Sequence, residues 1–265
     1  MIKLKGNNAY FLPNVQKNNL STVPLNKICK DSFTFCVRVK INWDKMETPA
    51  WGGIIMRNGM HSGLVAVKSD KSSINSGFSI NGEVWTDIDG TPTPKTLSLM
   101  IDKDNKDDFL DLTYIYETSG LLTIMSDKSV SLDRVEGAPN IIFDKELNKN
   151  KYYYFKQLEI ERDIIDYRDS WLWFGCASAF ASCNKEHRQY LQGDISHFGV
   201  FGKKLNEDEV KHFFDSCDSN LKTANLNDLI PVSYSDFKTQ TPHKSFDYSG
   251  NGNHIVMYNP DWGAL

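Results

Sequence analysis

No apolar run in these 265 residues is long enough to cross a bilayer. The longest, residues 171–181, is interrupted by Gly175 and Ser178. It falls far short of the roughly 20 residues that a spanning helix needs, which argues against membrane insertion. A basic excess is missing too. Lys and Arg number 30 against 34 Asp and Glu, a net charge of −4 that speaks against nucleic acid as the partner. Arginine itself is scarce, six against 24 lysines, which reflects genome composition rather than chemistry. The five cysteines, Cys29, Cys36, Cys176, Cys183 and Cys217, form no C-x-x-C pair, so they read as scattered thiols of a reducing compartment. Residues 1–14 are positively charged but have no apolar core and no small-residue cleavage site, so no signal peptide is expected. A cytoplasmic or virion-associated setting is favoured over a secreted one. Catalytic signatures are absent as well: there is no G-x-S-x-G, no H-E-x-x-H and no phosphate-cradling glycine loop. The histidines show no ligand spacing.

What is present is the composition of an ordinary globular chain, 40% apolar and 24% charged, carrying a recurrent period of two. Phe33, Phe35, Val37, Val39 and Ile41 alternate with Thr34, Arg38 and Lys40, a strand with one buried and one wet face. Leu110, Leu112, Tyr114 and Tyr116 alternate again before Ser119-Gly120 and a return strand over 121–125. Further strands are predicted at 64–67, 97–101, 152–161, 171–174, 195–201 and 255–258. Asn81-Gly82, between 78–80 and 83–85, has the sequence of a type I′ hairpin turn. One helix is expected: Asn206 with Glu209 three positions later forms a capping-box start, and Val210, Phe213, Phe214 and Cys217 then share a face. Many short strands and one late helix predict an all-β fold, an antiparallel β-sandwich in a single domain over 1–265.

Several stretches resemble the laminin G-like branch of the concanavalin A-like lectin/glucanase superfamily, a jelly-roll sandwich. They are the strand at 31–39, the hairpin Leu112-Thr113-Tyr114 to Ser119-Gly120-Leu121, and the run from Leu172-Trp173-Phe174-Gly175 through Gly193-Asp194-Ile195 to Leu205. The turn Asp247-Tyr248-Ser249-Gly250-Asn251-Gly252-Asn253 completes the series. Residues 131–151 have no counterpart in that pattern and read as an insertion.

The resemblance implies a fold, and it directs attention to three kinds of site. Glucanases of the superfamily set paired carboxylates on one strand face, and the nearest run here is Glu159-Ile160-Glu161-Arg162-Asp163. Its central acid is Glu, and Leu158 and Ile160 account for the buried face, so an exposed acidic face is the better reading and no catalytic residue is assigned. Hard oxygen ligands are common in the superfamily, which makes Asp247 and Asn251 candidate Ca²⁺ ligands. The alternative is that Asp247 caps its turn through backbone N–H groups. The acidic stretch Asp102, Asp104, Asp107 and Asp108 lacks the Gly and terminal Glu of an EF-hand loop and reads as a solvated loop. Aromatic residues supply the candidate glycan site. Trp171 and Trp173 project from one strand face, with Trp51 beside Gly52-Gly53 and Trp85 after the Asn-Gly turn as loop-proximal alternatives. The expected function is a non-catalytic, lectin-like carbohydrate-binding module. The competing readings are a structural or assembly domain, of a virus particle or of a larger glycan-processing enzyme, and a diverged hydrolase or lyase.

Overall fold

The computed structural model describes residues 2–5, 9–12, 32–46, 50–57, 62–68, 77–88, 91–101, 106–128, 141–142, 154–160, 172–176, 190–218, 229, 231, 233–236, 240–241, 244–245, 247–249, 251 and 255–258. They form two antiparallel sheets packed face to face, a β-sandwich of the jelly-roll class. Sheet A runs β1 (Ile2–Lys5), β13 (Gln192–Phe201), β3 (Phe33–Ile41), β8 (Phe109–Glu117), β9 (Leu121–Ser126), β11 (Tyr154–Glu159) and β10 (Ile141–Ile142), with β14 (Ser233–Ser235) also on β13. Sheet B runs β15 (Gln240–Thr241), β16 (Lys244–Ser245), β17 (Ile255–Tyr258), β2 (Ala9–Leu12), β12 (Leu172–Phe174), β4 (Ala50–Arg57), β5 (Ser62–Lys68), β6 (Phe78–Ile88) and β7 (Thr91–Met100).

The period of two does what the sequence predicts on β3. Phe33, Phe35, Val37, Val39 and Ile41 are buried between the sheets with Leu64, Ile80, Val84 and Leu97 from sheet B. Thr34, Cys36, Arg38 and Lys40 fall on the outer face of sheet A. Tyr114, fully buried, crosses the interior and donates its hydroxyl to the Glu83 carbonyl at 3.0 Å. The outer face of sheet A is covered in part by α1 (Glu207–Asp218), whose Val210, Phe213, Phe214 and Cys217 pack on Cys36, Ile115, Met125 and Phe201. Its start is the capping box that the sequence predicts: Glu209 N donates to Asn206 Oδ1 at 2.9 Å and Asn206 N to Glu209 Oε2 at 2.8 Å.

One expectation fails. Asn81-Gly82 is not a turn; β6 runs straight through it, pairing Asn81 with Ser98 and Gly82 with Leu97. Gly82 faces inward, where a Cβ would lie 2.3 Å from Ile124 Cγ2, so the glycine permits close approach of the two sheets. Asn81 stays in the strand because its Oδ1 accepts from Ser98 at 2.7 Å and Ser79 at 3.2 Å. Within residues 131–151, Ile141 and Ile142 pair with Leu158 and Gln157 as the edge strand of sheet A. On the same side of the sandwich β7 closes sheet B with Pro92 and Pro94 in its span, as an edge position allows.

Candidate functional site

The site begins where β3 ends. After Ile41 the chain turns through Asn42 into a 3-10 turn, Trp43–Lys45, whose first residue is the anchor. Trp43 is 1% exposed, with its indole 4.9 Å from the Phe78 ring. The Lys45 amide donates to Asn42 Oδ1 at 3.3 Å, and Asn42 N to the Gln192 carbonyl at 2.8 Å. From β5 of the other sheet, Lys68 Nζ reaches the carbonyls of Trp43 (2.8 Å) and Met46 (2.9 Å). These bonds satisfy acceptors left over at the end of the turn. Asp44 and Lys45 are thereby held out as a wall.

Opposite that wall, β1, β13 and β3 place Lys3, Asp194 and Lys40 in one transverse row. Adjacent strands lie about 4.8 Å apart, so the row spans roughly 10 Å. Gly193 is required here: its φ is 156°, and a Cβ would stand 2.1 Å from the Lys40 carbonyl oxygen. The space between wall and row is a cleft of about 560 Å³ lined by these residues with Asn42, Asp107, Gln192 and, from the apolar side, Leu4 and Ile41. Lys106 pairs with Asp44 at 3.1 Å and stands 3.9 Å from Asp107; the Asp44 hydrogen bond raises its ammonium pKa. The cleft therefore gathers ammonium, carboxylate and amide groups, a set able to hydrogen-bond a polyhydroxylated molecule.

The residues singled out by sequence are distributed elsewhere. Trp51 is the second residue of β4, Trp85 lies within β6 and Trp173 within β12. Trp85 does not follow a turn, because β6 continues through Asn81-Gly82. Register puts positions 51, 85 and 173 on one face, the outer face of sheet B: Trp51 pairs with Val67, Trp173 with Met56, and Trp85 follows Glu83 at a spacing of two. That face is buried at Met56, Val65, Asn81 and Glu83, while Trp85 is half-buried. Leu172 and Phe174 are in the core as expected. Trp171 lies outside the described residues, as do Glu161 and Asp163. Glu159 is exposed at the end of β11, between buried Leu158 and Ile160.

Asp247 is engaged as a turn cap. Its Oδ1 accepts from the Tyr234 and Ser249 amides at 2.9 and 3.0 Å, and its Oδ2 from the Ser249 hydroxyl at 2.7 Å. Asn251 donates its amide to the Pro231 carbonyl at 3.1 Å and to Ser249 Oγ at 3.2 Å. A carboxylate surrounded by N–H and O–H donors, beside an amide turned to donate, does not fit a cation cage. Among the described residues no three His, Cys, Asp or Glu side chains converge as metal ligands. Sequence reasoning missed the cleft because its lining comes from positions near 3, 40–45, 107 and 192–194, with no local motif. The only hint was the acidic stretch, of which Asp107 reaches it.

No family model matches the chain, and no curated protein does. Among solved structures, it is similar to a candidate carbohydrate binding protein from Bacteroides ovatus, at 13% identity and a TM-score of 0.50. That match covers 97% of this chain and 60% of the other, so the chain spans about 60% of that protein's length. A heptameric SAP-like pentraxin from Limulus polyphemus matches at 10% identity and a TM-score of 0.42, covering 98% of each chain. At such identity the first likeness shows a shared fold, a sheet-rich sandwich.

Proposed function

We propose that the chain is a non-catalytic carbohydrate-binding module of laminin G-like type and that it binds glycan in the cleft beside the 3-10 turn. The observation that carries this reading is the cleft's lining, in which Gln192 and Asp194 of β13 meet Lys40 of β3 and Asn42 just beyond its end. Sugars present hydroxyl rims and C–H faces, and pockets that hold them combine a few placed polar groups with apolar surface. The fold shared with the Bacteroides ovatus candidate carbohydrate binding protein supports the same reading. The test is a broad glycan panel followed by binding isotherms on the wild-type chain and on Asp194→Ala and Gln192→Ala. Selective binding weakened at least tenfold by either substitution, with unchanged melting temperature, is the expected result. Binding untouched by both, or product formation from any polysaccharide, overturns it; silence across the panel transfers the chain to a structural or assembly role.

A further inference from the structure

We infer that the outer face of sheet B holds a second site, separate from the cleft, where the Glu83 carboxylate takes the ammonium of a primary amine. This site does not rest on the carbohydrate reading. Glu83 lies mid-strand in β6 and is 4% exposed. Its ladder neighbours are Gly63 on β5 and Thr96 on β7, and Asn81 and Trp85 flank it on the same face of β6. None of the four carries a charge. Gly63 has no side chain to offer, and Asn81 is engaged with Ser79 and Ser98. Among the described residues no donor and no cation reaches the Glu83 carboxyl. Buried polar groups are nearly always hydrogen-bonded, so an acid buried without a partner is a candidate for one that comes from outside the chain.

Exposure on this face rises in one direction. Met56 of β4 and Val65 of β5 are sealed, Trp85 is half-buried, and Pro94 and Thr96 of β7 are exposed. A ligand therefore approaches over β7 and reaches the carboxylate through a narrow opening. A primary ammonium suits it, because it brings a positive charge and three N–H donors at the end of a slender chain. A quaternary ammonium brings the charge without a donor and is wider at its tip. Trp85 lies two positions along the strand, about 6.6 Å away, close enough for its ring to attract the same cation. The ammonium binds the ionised acid, whereas burial alone raises the free acid to about 7. Below that pH binding must expel a proton, so affinity rises with pH and levels off above it.

Calorimetry on the full chain with n-butylamine, 1-butanol and choline at pH 6 and pH 8 tests this, since the amine is charged at both. Butylamine is expected to bind about tenfold more tightly at pH 8, and at pH 6 to release close to one proton per molecule bound, read from buffers of different ionisation heat. Butanol and choline are expected to bind at least tenfold more weakly than butylamine. Nα-acetyllysine amide and glucosamine carry the same ammonium, and the tighter of the two identifies its carrier. Glu83→Gln is expected to abolish amine binding with the melting temperature at pH 6 unmoved, and Trp85→Leu to weaken it about threefold. Affinity independent of pH, butanol or choline binding as tightly as butylamine, or binding retained in Glu83→Gln overturns the inference. Amine binding lost in Asp194→Ala puts the amine in the cleft and overturns it as well. None of these outcomes decides the carbohydrate reading, which stands or falls on the glycan panel.

Discussion

On the outer face of sheet A, Arg38 lies opposite Asp111 and donates to it twice, at 2.6 and 2.7 Å, with the guanidinium 5.8 Å from the centre of the Phe214 ring. On the outer face of sheet B, Glu83 is 4% exposed, and burial alone pushes its carboxyl up to about 7, with no cation beside it among the described residues. Sheet A thus meets the cost of burying a carboxylate with geometry, a planar fork matched to two oxygens. Sheet B meets it by holding the proton. Asp127 stands between these extremes. Its oxygen accepts from the Asp111 amide at 2.9 Å, yet burial first and the Asp111 charge second raise it to about 6. A buried acid is stabilised either by a partner or by losing its charge, and the two solutions respond oppositely to substitution and to pH.

The largest expected effect comes from making the first face resemble the second. Arg38→Met leaves Asp111 buried without its cation and is expected to cost about 3–5 kcal/mol in urea unfolding at pH 7. Like Glu83, the stranded acid then gains stability on acidification. A loss below about 1 kcal/mol would mean that the pair is no better matched than Glu83.

Next in size is the pH dependence that Glu83 imposes. Its folded pKa, about 7, exceeds its ordinary 4.5, so between those values the folded state holds a proton that the unfolded state releases. Stability therefore falls as pH rises through that window and levels above about 7, by about 3 kcal/mol. Glu83→Gln is expected to remove the slope between pH 6 and 7 and to raise the urea midpoint at pH 8. Asp127 has the same sign but is spent by about pH 6, so that upper interval isolates Glu83. An unchanged slope in the variant would show that the carboxylate is charged throughout.

The smallest effect concerns an acid met by backbone donors. Asp247→Ala removes the acceptor for the Tyr234 and Ser249 amides and is expected to cost about 1 kcal/mol, with EDTA leaving the melting curves of parent and variant unmoved. Chelator sensitivity lost in the variant would instead make Asp247 a metal ligand.

Where a residue's role follows from its neighbours in sequence, the sequence was readable. The alternation of β3 and β8 and the Asn206–Glu209 cap are local patterns, and each forms the expected element. Asn81-Gly82 was misread because its turn chemistry competes with a demand visible only in three dimensions, the close approach of Ile124 across the sandwich. β7 was shortened because Pro92 and Pro94 break a strand pattern everywhere except at an edge, and edge status is a property of topology. The cleft was invisible for a related reason. Register between β1, β13 and β3, together with a lysine reaching over from β5, brings its groups together, while Trp51, Trp85 and Trp173 belong by register to the other sheet.

The prolines of β7 have a consequence beyond this chain. Pro92 and Pro94 are two residues apart, so their missing N–H groups lie on the same side of the strand, the side turned away from β6. A strand from a second molecule that approached this rim would find carbonyl oxygens but no donor at two successive positions. The intermolecular ladder needed for edge-to-edge polymerisation is thus interrupted along the ten-residue border, where the larger sheet would otherwise be most open to fibril growth.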